Sequence, residues 1–231
     1  MTFPSRLPAP RAVLFDLDGT LADTAPDLAA AVNWLRTQRG LAPTPYEVLR
    51  PTASAGARGM IGAAFGLGPG DDGYEELRLQ WFDRYQSAMA VESHLFEGVP
   101  ALLEGIEQAG MAWGVVTNKP MRFTDPLLPQ IGLAHAGCAI SGDTTGFAKP
   151  HPEPLLEGAR RLGVAPEHCW YVGDDLRDVE AGRAAGMVTV ACGWGYCGEI
   201  PPATWGADYL LETPLHLLDV LREVVAAARA A

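Results

Sequence analysis

Long apolar runs are missing from this 231-residue chain, and no stretch of about 18 apolar residues offers a membrane-spanning helix. The opening segment, Met1 to Arg11, carries two Arg and three Pro but no apolar h-region, so it does not read as a secretion signal. Basic residues are few: 17 Lys and Arg stand against 28 Asp and Glu, a formal net charge of −11, and no basic cluster occurs. That balance argues against a nucleic-acid backbone or an anionic membrane as partner, and any anionic substrate must be held by local groups. Cysteine is sparse: Cys138, Cys169, Cys192 and Cys197 form no CxxC pair and have no zinc-finger spacing to histidine. A disulfide framework and a zinc site are therefore not expected, and reduced thiols in a cytoplasmic enzyme are. His94, His135, His151, His168 and His216 likewise show no metal-ligand spacing. Internal repeats are absent. What remains is a chain with 48% hydrophobic residues, enough for the core of one large or two small domains.

Short apolar runs recur, each ending in a polar turn. Ala12 to Phe15 ends at an acidic motif, Met111 to Val116 at Thr117-Asn118, Cys138 to Ile140 at Ser141-Gly142, Trp170 to Val172 at Gly173-Asp174, and Met187 to Ala191 at Cys192-Gly193. Helical patterns lie between them, at Pro100 to Gln108, Pro126 to Gln130, Glu153 to Leu162 and Leu176 to Ala185, with an Ala-rich helix from Leu215 to Ala230 at the end. This alternation predicts an α/β fold with a mostly parallel sheet and helices on both faces. Its polar turns fall at the carboxyl ends of strands, where open α/β sheets place their sites. From about Thr24 to His94 the strand signals vanish. Leu28, Val32 and Leu35 mark a stripe that stops at Arg39-Gly40, and helices are expected over Arg58 to Phe65 and Tyr74 to Met89.

The chemistry sits in carboxylates. Asp16 and Asp18, two apart in Val13-Leu-Phe-Asp-Leu-Asp-Gly-Thr20, can point to the same side of a strand end, and Gly19 lets the chain turn beyond them. One carboxylate could attack phosphorus while the other, as an acid, protonates the leaving oxygen and later activates water. Asp174, Asp175 and Asp178 follow in Val172-Gly-Asp-Asp-Leu-Arg-Asp178; a helix beginning near Asp175 would put Asp174 and Asp178 on one face. Five carboxylates converging on one cleft would repel one another without a divalent cation, and an oxygen-rich set suits Mg²⁺. Thr117-Asn118 offers a hydroxyl, an amide and backbone N–H groups to phosphate oxygens, and Lys149, held extended before Pro150, could neutralise a transferring phosphoryl group.

Taken in order, DxDGT, Thr-Asn, Lys-Pro and GDDxxD resemble the haloacid dehalogenase (HAD) superfamily of phosphotransferases across almost the whole chain. The resemblance implies a Rossmann-like core of residues 1–23 and 95–231, with residues 24–94 as an inserted all-helical class I cap that opens and closes over the cleft. It implies that Asp16 is nucleophile and metal ligand, and that Asp18 is the acid/base and lends its backbone carbonyl to Mg²⁺. Asp174 completes the ligands with Asp175 and Asp178 in support. Thr117, Asn118 and Lys149 would hold the phosphate, with Gly19 placed among the substrate-binding residues. An Asp at position 18 points to phosphate esters, hydrolysed or, as in mutases, isomerised. Gly114-Val-Val-Thr-Asn-Lys-Pro120, Lys149-Pro-His-Pro-Glu-Pro154 and Trp194-Gly-Tyr196 look like phosphoglycolate phosphatases. The stretch Ser54-Ala-Gly-Ala-Arg-Gly-Met60 is similar to phosphatases acting on N-acetylmuramic acid 6-phosphate. Both substrates carry a carboxylate, for which Arg58 is the candidate partner. Trp194 and Tyr196 are expected to pack against the core. The oligomeric state stays open between monomer and homodimer.

Two rival readings come from another class. Gly193-Trp-Gly-Tyr-Cys-Gly198 matches the GxGxxG of dinucleotide-binding turns but runs into Glu199-Ile-Pro-Pro202 rather than a helix, and Gly68-Pro-Gly-Asp-Asp-Gly73 carries two acids where a pyrophosphate would lie. A non-catalytic binding module would be expected to have lost one of the catalytic positions, and none is lost.

Overall fold

The computed structural model describes residues 8–198 and 200–230; Met1 to Leu7, Glu199 and Ala231, on which parts of the sequence reading fall, lie outside them. Six strands form one parallel sheet: β1 (Ala12–Phe15), β4 (Ala112–Val116), β5 (Ala139–Ile140), β6 (Cys169–Gly173), β7 (Val188–Cys192) and β8 (Tyr209–Leu211), in the order β5-β4-β1-β6-β7-β8. β1 is central, with Phe15 level with Val115 of β4 on one side and Val172 of β6 on the other. That register brings the residues after all three strands to one edge of the sheet.

Alternate side chains of β1 feed two cores, as the period of a strand buried on both faces requires. Val13 and Phe15 pack with α5 (Val99–Gln108), α6 (Met121–Gln130) and α9 (Pro214–Ala230) through residues such as Leu102, Phe123 and Leu217. Ala12 and Leu14 face the other way, onto Leu155 and Ala159 of α7 (Glu153–Leu162) and Ala181 of α8 (Leu176–Ala184).

Between β1 and β4 the chain leaves through β2 (Ala22–Asp23) and returns through β3 (His94–Leu95), which pair antiparallel. The excursion holds α1 (Ala25–Gln38), α2 (Tyr46–Leu49), a 3₁₀ turn over Arg50–Ala55, α3 (Gly56–Phe65) and α4 (Tyr74–Ser87). Its apolar stripes, Leu28, Val32 and Leu35 against Met60, Leu77 and Trp81, join the same continuous cluster as Val13 and Phe15. Asp27, buried on α1, closes the neck: its carboxylate accepts from the backbone N–H groups of Val91, Glu92 and Ser93 at 2.9–3.2 Å and from the Ser93 hydroxyl at 2.6 Å.

Several expectations shift. Strand β8, the pair β2–β3 and helix α2 were not foreseen; they are two to four residues long, too short to show a period. Helix α6 begins at Met121 rather than Pro126 and carries Pro126 and Pro129 inside it. Its buried face, Phe123, Thr124, Leu127 and Leu128, anchors the helix, while the carbonyls left without a proline partner belong to the exposed Arg122 and Asp125. The Lys149–Pro150 peptide, read as simply extended, is cis.

Candidate active site

Asp16 directly follows β1, and its backbone N–H still donates to Val172 O at 2.9 Å, so its position is set by the sheet. Thr117 and Asp174 follow β4 and β6 one step beyond the same level. Asp16, Asp174 and Asp178 each offer a carboxylate oxygen within 4.8 Å of the others, and all three side chains are buried. Helix α8 explains Asp175 and Asp178. Asp175 is its N-cap, accepting from the Arg177 N–H at 2.9 Å, and Asp178, three residues on, accepts from the Asp175 N–H at 3.0 Å. Asp174 lies on the loop before the helix, not on its face, so strand end and helix start rather than helical spacing bring Asp174 and Asp178 together.

Lys149 sits among them. Its Nζ lies 2.9 Å from Asp16 Oδ1 and 2.8 Å from Asp178 Oδ1, and donates to Val116 O and the Tyr171 hydroxyl at 3.1 and 2.8 Å. The backbone of Lys149 is fixed by Asn118, whose side-chain amide donates to Lys149 O at 3.0 Å and whose carbonyl accepts from Lys149 N–H at 2.8 Å. Asn118 lines the cavity, yet its side-chain amide is engaged in positioning Lys149. The Thr117 hydroxyl accepts from Lys119 N–H and keeps its own proton to donate. Lys119 was missed as a site residue: its Nζ is 2.8 Å from Asp18 Oδ1, both groups being largely buried. The Thr24 hydroxyl donates to the same carboxylate oxygen. With Thr24 so engaged, the N-terminus of α1 is capped from afar by Tyr196, whose hydroxyl accepts from Thr24 and Ala25 N–H at 2.7 and 2.9 Å and lies 2.9 Å from Asp23 Oδ1.

Burial, reinforced by Asp16 and Asp178, holds the Asp174 carboxyl well above the usual carboxylate range, against the opposing hydrogen bonds from Tyr196 N–H at 2.9 Å and the Thr20 hydroxyl at 3.0 Å. Burial also pushes Asp178 up to about 6, against the pull of Lys149. Lys149 shows the reverse balance: burial would lower it, but Asp16 and then Asp178 raise it. Burial of Asp175 is outweighed by the Arg177 guanidinium, at 2.7 and 2.9 Å, which holds its carboxyl low. Three buried carboxylates against one ammonium leave an anionic excess that a hard divalent cation with oxygen ligands would neutralise, so these residues fit one.

Glycines make room for Asp174. A Cβ on Gly19, where φ is +86°, would lie 2.1 Å from Asp174 Oδ2, and one on Gly195 would lie 2.2 Å from Asp174 Cβ. Gly19, expected among the substrate-binding residues, is not part of the cavity wall; the space beside it is taken by Asp174, whose close approach a side chain there would block. The Gly193–Gly198 stretch is likewise the backing of Asp174 and not a nucleotide turn. Trp194 donates to Thr20 O at 3.0 Å, and neither it nor Tyr196 lines the cavity, in keeping with packing.

Asp16 and Asp18 open into a cavity of about 330 Å³ whose far wall comes from the helical excursion: Arg58, Tyr74, Arg78, Trp81, Phe82 and Tyr85. Arg58, the candidate for a substrate carboxylate, is exposed and faces this space with Arg78 beside it. The excursion also touches the acidic centre. Ser54 Oγ is 3.4 Å from Asp174 Oδ2, Arg177 donates to Ser54 O at 3.0 Å, and the Arg50 guanidinium lies 5.0 Å over the Tyr196 ring.

A sequence profile of haloacid dehalogenase-like hydrolases matches residues 10–186. The chain belongs to that family. Among its relatives, the N-acetylmuramic acid 6-phosphate phosphatase of Pseudomonas aeruginosa is 46% identical over 213 residues, covering 91% of this chain and 94% of the relative. A phosphoglycolate phosphatase of Xanthomonas campestris is 48% identical over 211 residues, covering 90% and 95%. The fold is similar to the crystal structure of a predicted phosphoglycolate phosphatase from Haemophilus somnus, with a TM-score of 0.82, 26% identity and coverage of 93% of this chain and 99% of that one. No helix among the described residues is long and apolar enough to cross a membrane.

Proposed function

We propose that this HAD-family hydrolase cleaves a small anionic phosphate monoester through a phospho-Asp16 intermediate, with Asp18 as acid and base. The arrangement that carries this reading is a buried carboxylate, Asp16, beside Lys149 and two further buried carboxylates, opening with Asp18 into one cavity. Asp16 attacks phosphorus, and the departing oxygen takes the Asp18 proton; Asp18 then removes a proton from the water that hydrolyses the acyl phosphate. Lys149 offsets the negative charge that gathers on Asp16 and the phosphoryl oxygens, and the Thr117 hydroxyl donates to one of them. Lys119 and Thr24 hold Asp18 in place. Asp16, Asp174 and the Asp18 backbone carbonyl would hold Mg²⁺, with Asp178 beside them. When bound, the cation supplies positive charge to the transferring phosphoryl group. Residues 24–94 act as a cap on a core formed by 1–23 and 95–231, and close the cavity from water. The enzyme works in the cytoplasm as a monomer or homodimer.

Phosphoglycolate is the first candidate substrate. N-acetylmuramic acid 6-phosphate is the second, favoured by the similarity to the Pseudomonas aeruginosa phosphatase. Phosphate release from each ester, with and without chelator, tests the reading, and product analysis for an isomerised sugar phosphate separates hydrolysis from mutase chemistry. The Asp16→Asn variant is expected to lose at least about a thousandfold in kcat; near-normal turnover by this variant, free of contaminating phosphatase, would sink the assignment.

A further inference from the structure

Besides Tyr74 on the cavity wall, three buried tyrosines flank the site, and two of these have hydroxyls in use: Tyr171 OH donates to Val116 O at 2.8 Å, and Tyr196 OH caps α1. The third, Tyr85 on α4, is 1% exposed and lines the cavity, and its hydroxyl has no hydrogen-bond partner among the described residues. Its ring cannot turn away. It stacks on Trp81 at 5.2 Å with 13° between planes, meets Phe123 edge-on at 5.2 Å, and carries the Lys119 ammonium 4.7 Å over its centroid. Lys119 comes close enough to the Tyr85 hydroxyl to pull the phenol's pKa downward, but its ammonium is engaged with Asp18 at 2.8 Å and makes no hydrogen bond of good geometry to that hydroxyl. Burial, its largest influence, pushes the phenol up to about 12, so near neutral pH it keeps its proton and acts as a donor. Phenylalanine would fill the same place without the cost of an unpaired buried hydroxyl.

We propose, resting on the phosphatase reading above, that the Tyr85 hydroxyl recognises substrate by donating a hydrogen bond to an acceptor oxygen in the alcohol portion of the ester, beside the oxygen that Asp18 protonates. The favoured substrate class is an ester with a carboxylate, hydroxyl or ring oxygen within a few atoms of phosphorus. Simple alkyl phosphates lack that acceptor.

The test is Tyr85→Phe in the full chain, assayed with whichever of phosphoglycolate and N-acetylmuramic acid 6-phosphate the unaltered enzyme prefers, and with ethyl phosphate. The ratio of kcat/KM for the oxygen-bearing ester over ethyl phosphate should fall about 10- to 100-fold, chiefly through KM, the scale of one hydrogen bond left unpaired in a closed site. The melting temperature of the variant should equal or exceed that of the unaltered protein. An unchanged ratio overturns the proposal, and a lowered melting temperature with an unchanged ratio assigns the hydroxyl to the fold. If the unaltered protein turns over ethyl phosphate as well as the oxygen-bearing esters, this proposal fails while the phosphatase reading stands; if it turns over none of them, both fail.

Discussion

Remove the ammonium of Lys149 and two buried carboxylates, Asp16 and Asp178, face each other with nothing between them. Lys149→Met is therefore expected to cost about 3–5 kcal/mol in urea unfolding without added cation, the usual penalty for breaking a buried pair from one side. Activity should be lost as well, and Mg²⁺ should restore stability but not turnover. At this scale the acidic residues that the structure brings together were legible in the sequence: Asp16, Asp18 and Asp174 stand at the ends of apolar runs, where chemistry in α/β sheets belongs, and Lys149 stood out by its place before Pro150. The supporting residues were not. Asn118 has the composition of a phosphate ligand, and only the three-dimensional approach of Lys149 shows its amide engaged there. Lys119 and Tyr85 gave no local signal, because their meeting joins a strand end to a helix far away in the chain. A lysine two residues after Thr117 could have been weighed as a partner for Asp18, since both follow neighbouring strands.

Among elements, the loop after β7 does more than its glycine pattern suggests. It delivers the Tyr196 N–H to Asp174 and the Tyr196 hydroxyl to the start of α1, and Gly195 leaves no room for a side chain against Asp174. Gly195→Ala should displace that carboxylate, costing about 1–3 kcal/mol of stability as overpacking does. The Mg²⁺ concentration for half-maximal activity should rise about tenfold or more with little change in KM for substrate, and an unchanged Mg²⁺ requirement would show that Asp174 had not moved. Long, regularly patterned elements were readable in advance, α7 over its whole length and α1 at its carboxyl end. Some short ones were not: β2, β3 and β8, two or three residues long with no apolar run of their own ahead of a polar turn, are defined by their neighbours. Helix α6 misled for the opposite reason, since its prolines look like a boundary while its buried face overrides them.

For the whole molecule, the acidic centre links cation, proton and fold. The raised Asp174 carboxyl binds a proton in the folded chain over a window running upward from about 3.9, where an unfolded carboxyl has already released it. Without cation, this group therefore contributes stability that is greatest at low pH and is lost as pH climbs through that window. A divalent cation binds the ionised form and reverses the trend. Thermal melting should show a larger gain from millimolar Mg²⁺ at pH 8 than at pH 5; an equal or larger gain at pH 5 would contradict it.

The neck closed by Asp27 bears on how such a molecule changes over generations. Because the outgoing and returning chain are stapled side by side there, the loops of the excursion away from Ser54 and the shared core can be lengthened with little disturbance of the strand ends. Doubling a loop adds only about 0.6 kcal/mol of closure entropy. Length can thus be added there while the strand ends and their carboxylates keep their places.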